Sequence, residues 1–265
     1  MLLENKIAVI YGAGGAIGGA VARAFAREGA RLFLAGRRRA QVEAVAKDII
    51  SAGGSAEAAE VDALDERAVD AHLQSVIDKA GRIDIAFNAI GLPGANILGT
   101  PLVELGVEHF TLPIMTYATT YFLIARLAAR RMVANKSGVI MSVTTQHSRI
   151  GYPLSGGYGP AMAAEEALTR VLSAELAPQG IRVVGLRPQA IPESETLKEA
   201  FEIRTKASAS GAAWEQFQQV LATNNHARRL MSLTEMANTA VFMASDKASG
   251  MTGTTVNLTM GSLDD

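Results

Sequence analysis

Cysteine is absent from the 265 residues. That excludes disulfides, a cysteine nucleophile and thiolate metal sites, and it leaves the compartment open. Histidine is scarce, and the four present (His72, His109, His147, His226) show no metal-ligand spacing. An excess of either charge is missing too: 25 basic residues face 26 acidic ones, for a net charge of −1. Nothing in that balance suggests a nucleic-acid partner or an acidic membrane surface. No apolar run is long enough to cross a bilayer, and the opening MLLENK has no signal-peptide layout. The expectation is a cytoplasmic protein without repeats or a low-complexity linker. What is abundant is apolar surface: 49 % of residues are hydrophobic and only 19 % charged. That suits one α/β domain over residues 1–265 with a large core.

The most informative stretch is Lys6–Gly19. An apolar run (Ile7, Ala8, Val9, Ile10) reads as a buried parallel strand. A glycine turn follows (Gly12, Gly14, Gly15, Gly18, Gly19), and then a helix with Val21, Ala24 and Phe25 on one face. Strand, glycine turn and helix in this order form a dinucleotide pyrophosphate site. Glycine lets the backbone approach the phosphates, and the helix N-terminus offers N–H groups to the anion.

Strand-like and helix-like segments alternate after this unit, the pattern of a doubly wound parallel sheet with helices on both faces. Strands are expected at 7–11, 31–35, 56–61, 83–88, 138–143, 182–187 and 255–258. Helices are expected at 15–29, 37–52, 65–80, 104–133, 157–177, 195–206, 212–223 and 234–245. Asp65 fits an N-cap, and Thr234 starts a capped helix. The segment 192–231 breaks the alternation, carries Trp214 and Phe217, and is expected to form a helical flap over the site.

The second strand ends Gly36-Arg37-Arg38-Arg39. A binder of the non-phosphorylated cofactor needs a carboxylate about 20 residues past the glycine turn. Arginines suit a 2′-phosphate instead. The expected cofactor is NADP(H), with Arg37 first and Arg38 second. Asp62, after the third strand, can accept from the adenine amino group.

Over nearly its whole length the chain resembles the short-chain dehydrogenases/reductases. The turn Gly12-Ala-Gly-Gly-Ala-Ile-Gly18 is similar to that family's TGxxxGxG loop, Val61-Asp62-Ala63 to its adenine-contact turn, and Asn88-Ala89-Ile90-Gly91 to its NNAG motif. Arg187-Pro188 is similar to its segment entering the sixth strand, and the ending from Arg229 to Gly253 to its C-terminal pattern. The resemblance implies a Rossmann-type fold, a nicotinamide cofactor, a small-molecule substrate and a homo-oligomer, tetramer or dimer, built on helices 104–133 and 157–177. It implies cofactor contacts from Gly12, Gly14, Gly15, Ala16, Ile17, Gly18, Asp62, Ala63, Asn88, Ala89, Ile90, Pro188 and Ile191.

The departures lie mostly on the catalytic side. The family sets a serine thirteen residues before its tyrosine and a lysine four after it. With Tyr158 as that tyrosine, Thr145 takes the serine position and Met162 the lysine position. The family's asparagine on the fourth helix falls on Tyr117. Tyr158 is thus the expected proton donor, and Thr145 the group that steadies the oxyanion. Free tyrosine titrates near 10, and a neighbouring ammonium would lower that value. Met162 provides none. Another group then has to help, with His147 and Arg149 nearest in sequence. His147 and Tyr152 are also expected to touch substrate. The primary reading is an NADP(H)-dependent oxidoreductase reducing a carbonyl, an imine or an activated alkene. The alternatives are an inactive NADP(H)-binding sensor or partner subunit, or a non-redox lyase-type enzyme.

Overall fold

The structure, a computed structural model, describes residues 1–207 and 211–264. Residues 208–210 of the expected flap, and Asp265, lie outside the described residues. Seven strands form one parallel sheet: β1 (Ile7–Tyr11), β2 (Arg31–Gly36), β3 (Ser55–Glu60), β4 (Ile85–Asn88), β5 (Gly138–Val143), β6 (Ile181–Pro188) and β7 (Thr254–Leu258). Their order is β3-β2-β1-β4-β5-β6-β7. Every residue of β1 is buried, as a central strand covered on both faces must be.

Among the described residues, three helices cover one face: α1 (Ala16–Arg27), α2 (Arg39–Ser51) and α8 (Leu233–Ala244). They pack Val21, Phe25, Val45 and Met236 on Ile10, Leu34 and Val184. On the other face lie α3 (Glu66–Ala80), α4 (Val107–Met132) and α5 (Tyr158–Leu176). They set Leu73, Tyr121, Ile124 and Leu172 on Val9, Phe33 and Ile140. Two further helices, α6 (Glu195–Ala207) and α7 (Trp214–Thr223), rise beyond the end of β6 where the flap was expected.

Local chemistry sets the helix ends. Asp65 caps α3, its carboxylate accepting from the N–H groups of Arg67 and Ala68. The cap of α8 is Ser232, two residues before Thr234, where a capped helix was expected to start. Its hydroxyl accepts from Glu235 N–H while the Glu235 carboxylate accepts from Ser232 N–H. That reciprocal pair outcompetes a start at Thr234.

The position of α5 follows from one close approach. A Cβ on Gly157 would overlap the carbonyl oxygen of Phe110 in α4. Glycine therefore lets the start of α5 lie directly on α4, and Tyr158, the next residue, is delivered to the carboxyl end of the sheet.

Candidate active site

Strand order reverses between β1 and β4, where an open parallel sheet leaves a crevice beyond the strand ends. A cavity of about 900 Å³ occupies that place. Its floor is the glycine turn. Gly12 has a φ of +78°, and a Cβ there would overlap the Ala89 carbonyl oxygen, so the two strand ends can close only around glycine. Gly15 is the N-cap of α1, with extended backbone. Among the described residues no side chain caps this helix, and its first turn holds no acid. The orphan N–H groups and the positive helix end therefore remain available to an anion. On these observations the residues present fit a dinucleotide pyrophosphate.

Most of the residues expected to hold the cofactor line this cavity. Gly12, Gly14, Gly15, Ala16 and Ile17 form its glycine side; Asp62, Ala63, Ala89 and Ile90 follow beyond β3 and β4; Pro188 and Ile191 close it after β6. Arg37 and Arg38 line it too, with both side chains exposed. Among the described residues neither has an acidic partner, whereas Arg39 pairs with Glu43 at 2.7 Å. Asp62 Oδ1 already accepts from Leu64 N–H at 3.0 Å.

Two of the expected contact residues, Gly18 and Asn88, lie outside the cavity lining. Gly18 does not reach the cavity wall; it is glycine because a Cβ would overlap the Gly12 carbonyl oxygen within the turn. Asn88 lies beneath the wall and is buried. Its oxygen accepts from Ile90 N–H at 3.3 Å, and its amide donates to Glu165 at 3.4 Å. It holds the loop after β4.

On the catalytic side, Tyr158, Thr145, His147, Tyr152 and Met162 all line the same cavity. Burial pushes the Tyr158 phenol up to about 12, although a hydrogen bond from Thr145 and the charge of Arg204 both favour the phenolate. Thr145 Oγ1 lies 3.2 Å from His147 Nδ1. The His147 ring stands edge-on to Tyr158 at 5.0 Å between centroids, and 4.6 Å from the Tyr152 ring. Burial, then the Arg204 charge, lowers His147 to about 4, so the imidazole is neutral at pH 7.

Met162 is 1 % exposed and packs with Leu92, Ile97 and Tyr117. Its place is apolar and carries no charge toward Tyr158. Tyr117 accepts from Leu92 N–H at 3.0 Å, and its ring centroid lies 5.8 Å from that of Tyr158. It holds the loop after β4 at Leu92.

Arg149, one of the two expected helpers, is turned away. Its Nε donates to Glu166 Oε2 at 3.3 Å, in a cluster where Arg187 meets Glu166 Oε1 at 2.7 Å. Buried acid in that cluster draws Arg149 from the cavity. Arg204 of α6, which nothing in the sequence singled out, lines the cavity instead. Its Nη2 lies 3.0 Å from Ser155 Oγ and 3.4 Å from His147 Nε2, and its guanidinium stands over the Tyr152 ring at 5.7 Å. The flap is anchored by Glu199 of α6, whose carboxylate accepts from Gly94 N–H at 2.8 Å and Ala95 N–H at 3.1 Å.

The arrangement brings two linked hydroxyls to one end of a cleft whose other end suits a pyrophosphate. Among the described residues no group of three or more acids and histidines could hold a metal ion. No helix there is long and apolar enough to cross a membrane.

The model of a family described as Enoyl-(Acyl carrier protein) reductase matches residues 12–262. The uncharacterized oxidoreductase YxbG of Bacillus subtilis (strain 168) is 34 % identical over 251 residues, spanning 95 % of this chain and 88 % of that protein. The peroxisomal 2,4-dienoyl-CoA reductase of Mus musculus is 30 % identical over 256 residues, spanning 95 % of this chain and 82 % of that enzyme. A crystal structure of NAD+-bound xylitol dehydrogenase superposes with a TM-score of 0.91 at 25 % identity, over 98 % of this chain and 100 % of that one. With the parallel sheet, the glycine turn at its switch point and a family match over residues 12–262, the chain belongs to the short-chain dehydrogenase/reductase family of oxidoreductases.

Proposed function

We propose that the protein is an NADP(H)-dependent reductase acting on the carbonyl of a small molecule. Family membership implies a nicotinamide dinucleotide and a small-molecule substrate. The observation that carries the finer reading is the joining of the Tyr158 and Thr145 hydroxyls on the wall that also presents Arg37 and Arg38. A reduced nicotinamide, when bound, supplies the hydride that reaches the carbonyl carbon. This chain's own residues do the rest. Gly12, Gly14, Gly15, Ala16 and Ile17 hold the pyrophosphate, and Asp62 and Ala63 frame the adenine. Arg37 and Arg38 take the 2′-phosphate, and Pro188 and Ile191 back the nicotinamide side. Tyr158 gives its proton to the substrate oxygen, and Thr145 steadies that oxygen. His147 and Tyr152 line the substrate side, beneath a flap over 192–231.

The match of the glycine turn to a dinucleotide, and the pairing of Tyr158 with Thr145, support a working reductase over a sensor or a lyase. One further observation favours a substrate with low proton demand, an imine or an activated alkene. Met162 offers no charge, so Tyr158 keeps its proton tightly. Exposed Leu112, Met115 and Phe122 on α4 and Val171 on α5 support a homo-oligomer through those helices; light scattering at micromolar concentration tests it. The same reading places the protein in the cytoplasm.

Calorimetric titration with NADPH and NADH, followed by a screen of ketones, imines and conjugated alkenes, tests the function. Preferential NADPH binding is expected, with turnover that falls about 10²- to 10⁴-fold in Tyr158→Phe. Binding of neither nucleotide would overturn it.

A further inference from the structure

We propose that Arg204, delivered by α6, is a positioning residue that locks the tautomer of His147. A line of donors then runs from His147 through Thr145 to Tyr158, and stands in for the missing lysine. The inference rests on the reductase reading above.

The argument is one of hydrogen counting. A guanidinium has donors only. With Arg204 Nη2 at 3.4 Å, His147 Nε2 must accept, so the ring proton sits on Nδ1. That Nδ1–H faces Thr145 Oγ1 at 3.2 Å and donates to it. The His147 backbone N–H donates to the same oxygen at 3.3 Å. Two donors fill the acceptor side of Thr145, and its single O–H is left to turn toward the Tyr158 oxygen, where it favours the phenolate. Tyr158 then has its own hydrogen directed away from Thr145, toward the cavity. When Tyr158 has passed that proton to the substrate oxygen, the phenolate is left facing the Thr145 hydroxyl. The fixed positive charge of Arg204 lies behind His147 and favours the phenolate.

Arg204 is itself held in place. Ser155 Oγ accepts from it at 3.0 Å, and the Tyr152 ring lies beneath it. The neutral state of His147, lowered to about 4, is the state this chain of donors requires. The groups facing His147 are Thr145 of its own turn, Tyr152 of the following loop, Tyr158 of α5 and Arg204 of α6. No acid is among these partners, and Arg149 is engaged by Glu166. The flap thus completes the site electrically: without α6 in place, His147 has no group to choose its tautomer.

Nitrogen-15 NMR of the histidine rings, assigned with His147→Asn, reads the tautomer directly and needs neither cofactor nor turnover. The expected result is Nδ1–H for His147 in the wild-type protein. Arg204→Met should turn it to Nε2–H or a mixture, and Arg204→Lys should retain Nδ1–H. A tyrosinate absorbance titration, taken as the difference from Tyr158→Phe, should move to higher pH in Arg204→Met and much less in Arg204→Lys. A plain structural pin between α6 and the loop would move neither signal in a variant that still binds NADPH. Nε2–H in the wild-type protein would overturn the proposal, and this measurement stands even if Arg204→Met does not fold. If His147 is Nδ1–H but no substrate is reduced with NADPH, the reductase reading fails and the donor chain survives. Turnover with Nε2–H would do the reverse.

Discussion

The side-chain amide of Asn88 meets the carboxyl of Glu165 at 3.4 Å, both of them buried under the cavity. Glu165 is 0 % exposed, and its second oxygen has no hydrogen-bond partner among the described residues. Burial, reinforced by the neighbouring charge of Glu166, pushes its carboxyl well above the usual range and favours the protonated form. The loop that carries Ala89 and Ile90 therefore rests, through Asn88, on a buried acid whose environment disfavours its charge.

From that acid follows a dependence of stability on pH. An acid whose folded value is raised binds more protons folded than unfolded. Its share of the stability is therefore full below the usual 4.5 and is lost as pH rises toward the folded value. The loss is at most about 1.4 kcal/mol per pH unit for one proton. Glu165→Gln keeps an acceptor for Asn88 and cannot ionise. Urea unfolding between pH 5 and about pH 8 should show a shallower decline in this variant. Identical slopes in variant and wild type would contradict it.

Glu166 behaves oppositely. Burial would raise it, but Arg187, Ser148 and Arg149 outweigh burial and hold its carboxyl below the usual value. Arg187 is 1 % exposed and bonds both carboxylate oxygens, at 2.7 and 3.1 Å. Arg187→Leu leaves that carboxylate buried without its principal partner and should cost about 3–5 kcal/mol. The share of stability from Glu166 is present above the usual carboxylate value and lost as pH falls, so the defect should shrink in acid. Denaturant midpoints at neutral and acidic pH check both statements.

Met162→Lys places an ammonium one helical turn from Tyr158. It should bring the Tyr158 phenol down from about 12 and raise carbonyl reduction about tenfold or more, with the pH optimum moved downward. The cost is a cation in an apolar wall beside Leu92 and Ile97, so the thermal midpoint should drop. If no ketone is reduced faster while NADPH still binds, the lysine is not what limits this site.

Arg37→Ala should weaken NADPH binding while leaving NADH nearly unchanged. The loss of a charge-assisted hydrogen bond sets the scale at about 1.5–3 kcal/mol, or roughly tenfold to a hundredfold in Kd. Calorimetry with both nucleotides measures it. Equal loss for both would place Arg37 outside the 2′-phosphate contact.

Much of the scaffold was legible because short apolar runs between turns leave few choices. The segments 7–11 and 138–143 were expected where β1 and β5 lie, and the other strand ends differ by a residue or two. The glycine turn was legible because only glycine permits the Gly12–Ala89 approach. The residues that tune the site were not. Arg204 meets His147 across 57 positions, and no local pattern states where α6 will fold back. Glu165 reads as a polar residue on a helix, and only the packing of α5 on α4 and β6 shows that it is enclosed. Gly18 and Asn88 read as motif residues, and the structure sets both behind the cavity lining, a distinction that spacing cannot express.

The flap also carries an optical reporter. Trp214 is the single tryptophan of the chain. It stacks at 5.9 Å on Phe217, a residue of the cavity wall, and meets Phe201 of α6 at 5.3 Å. All intrinsic indole emission therefore originates within one turn of a residue of the cavity wall. Any ligand that shifts α6 against α7 will change its colour or intensity, so that such a shift can be timed in a stopped-flow instrument on the unlabelled wild-type protein.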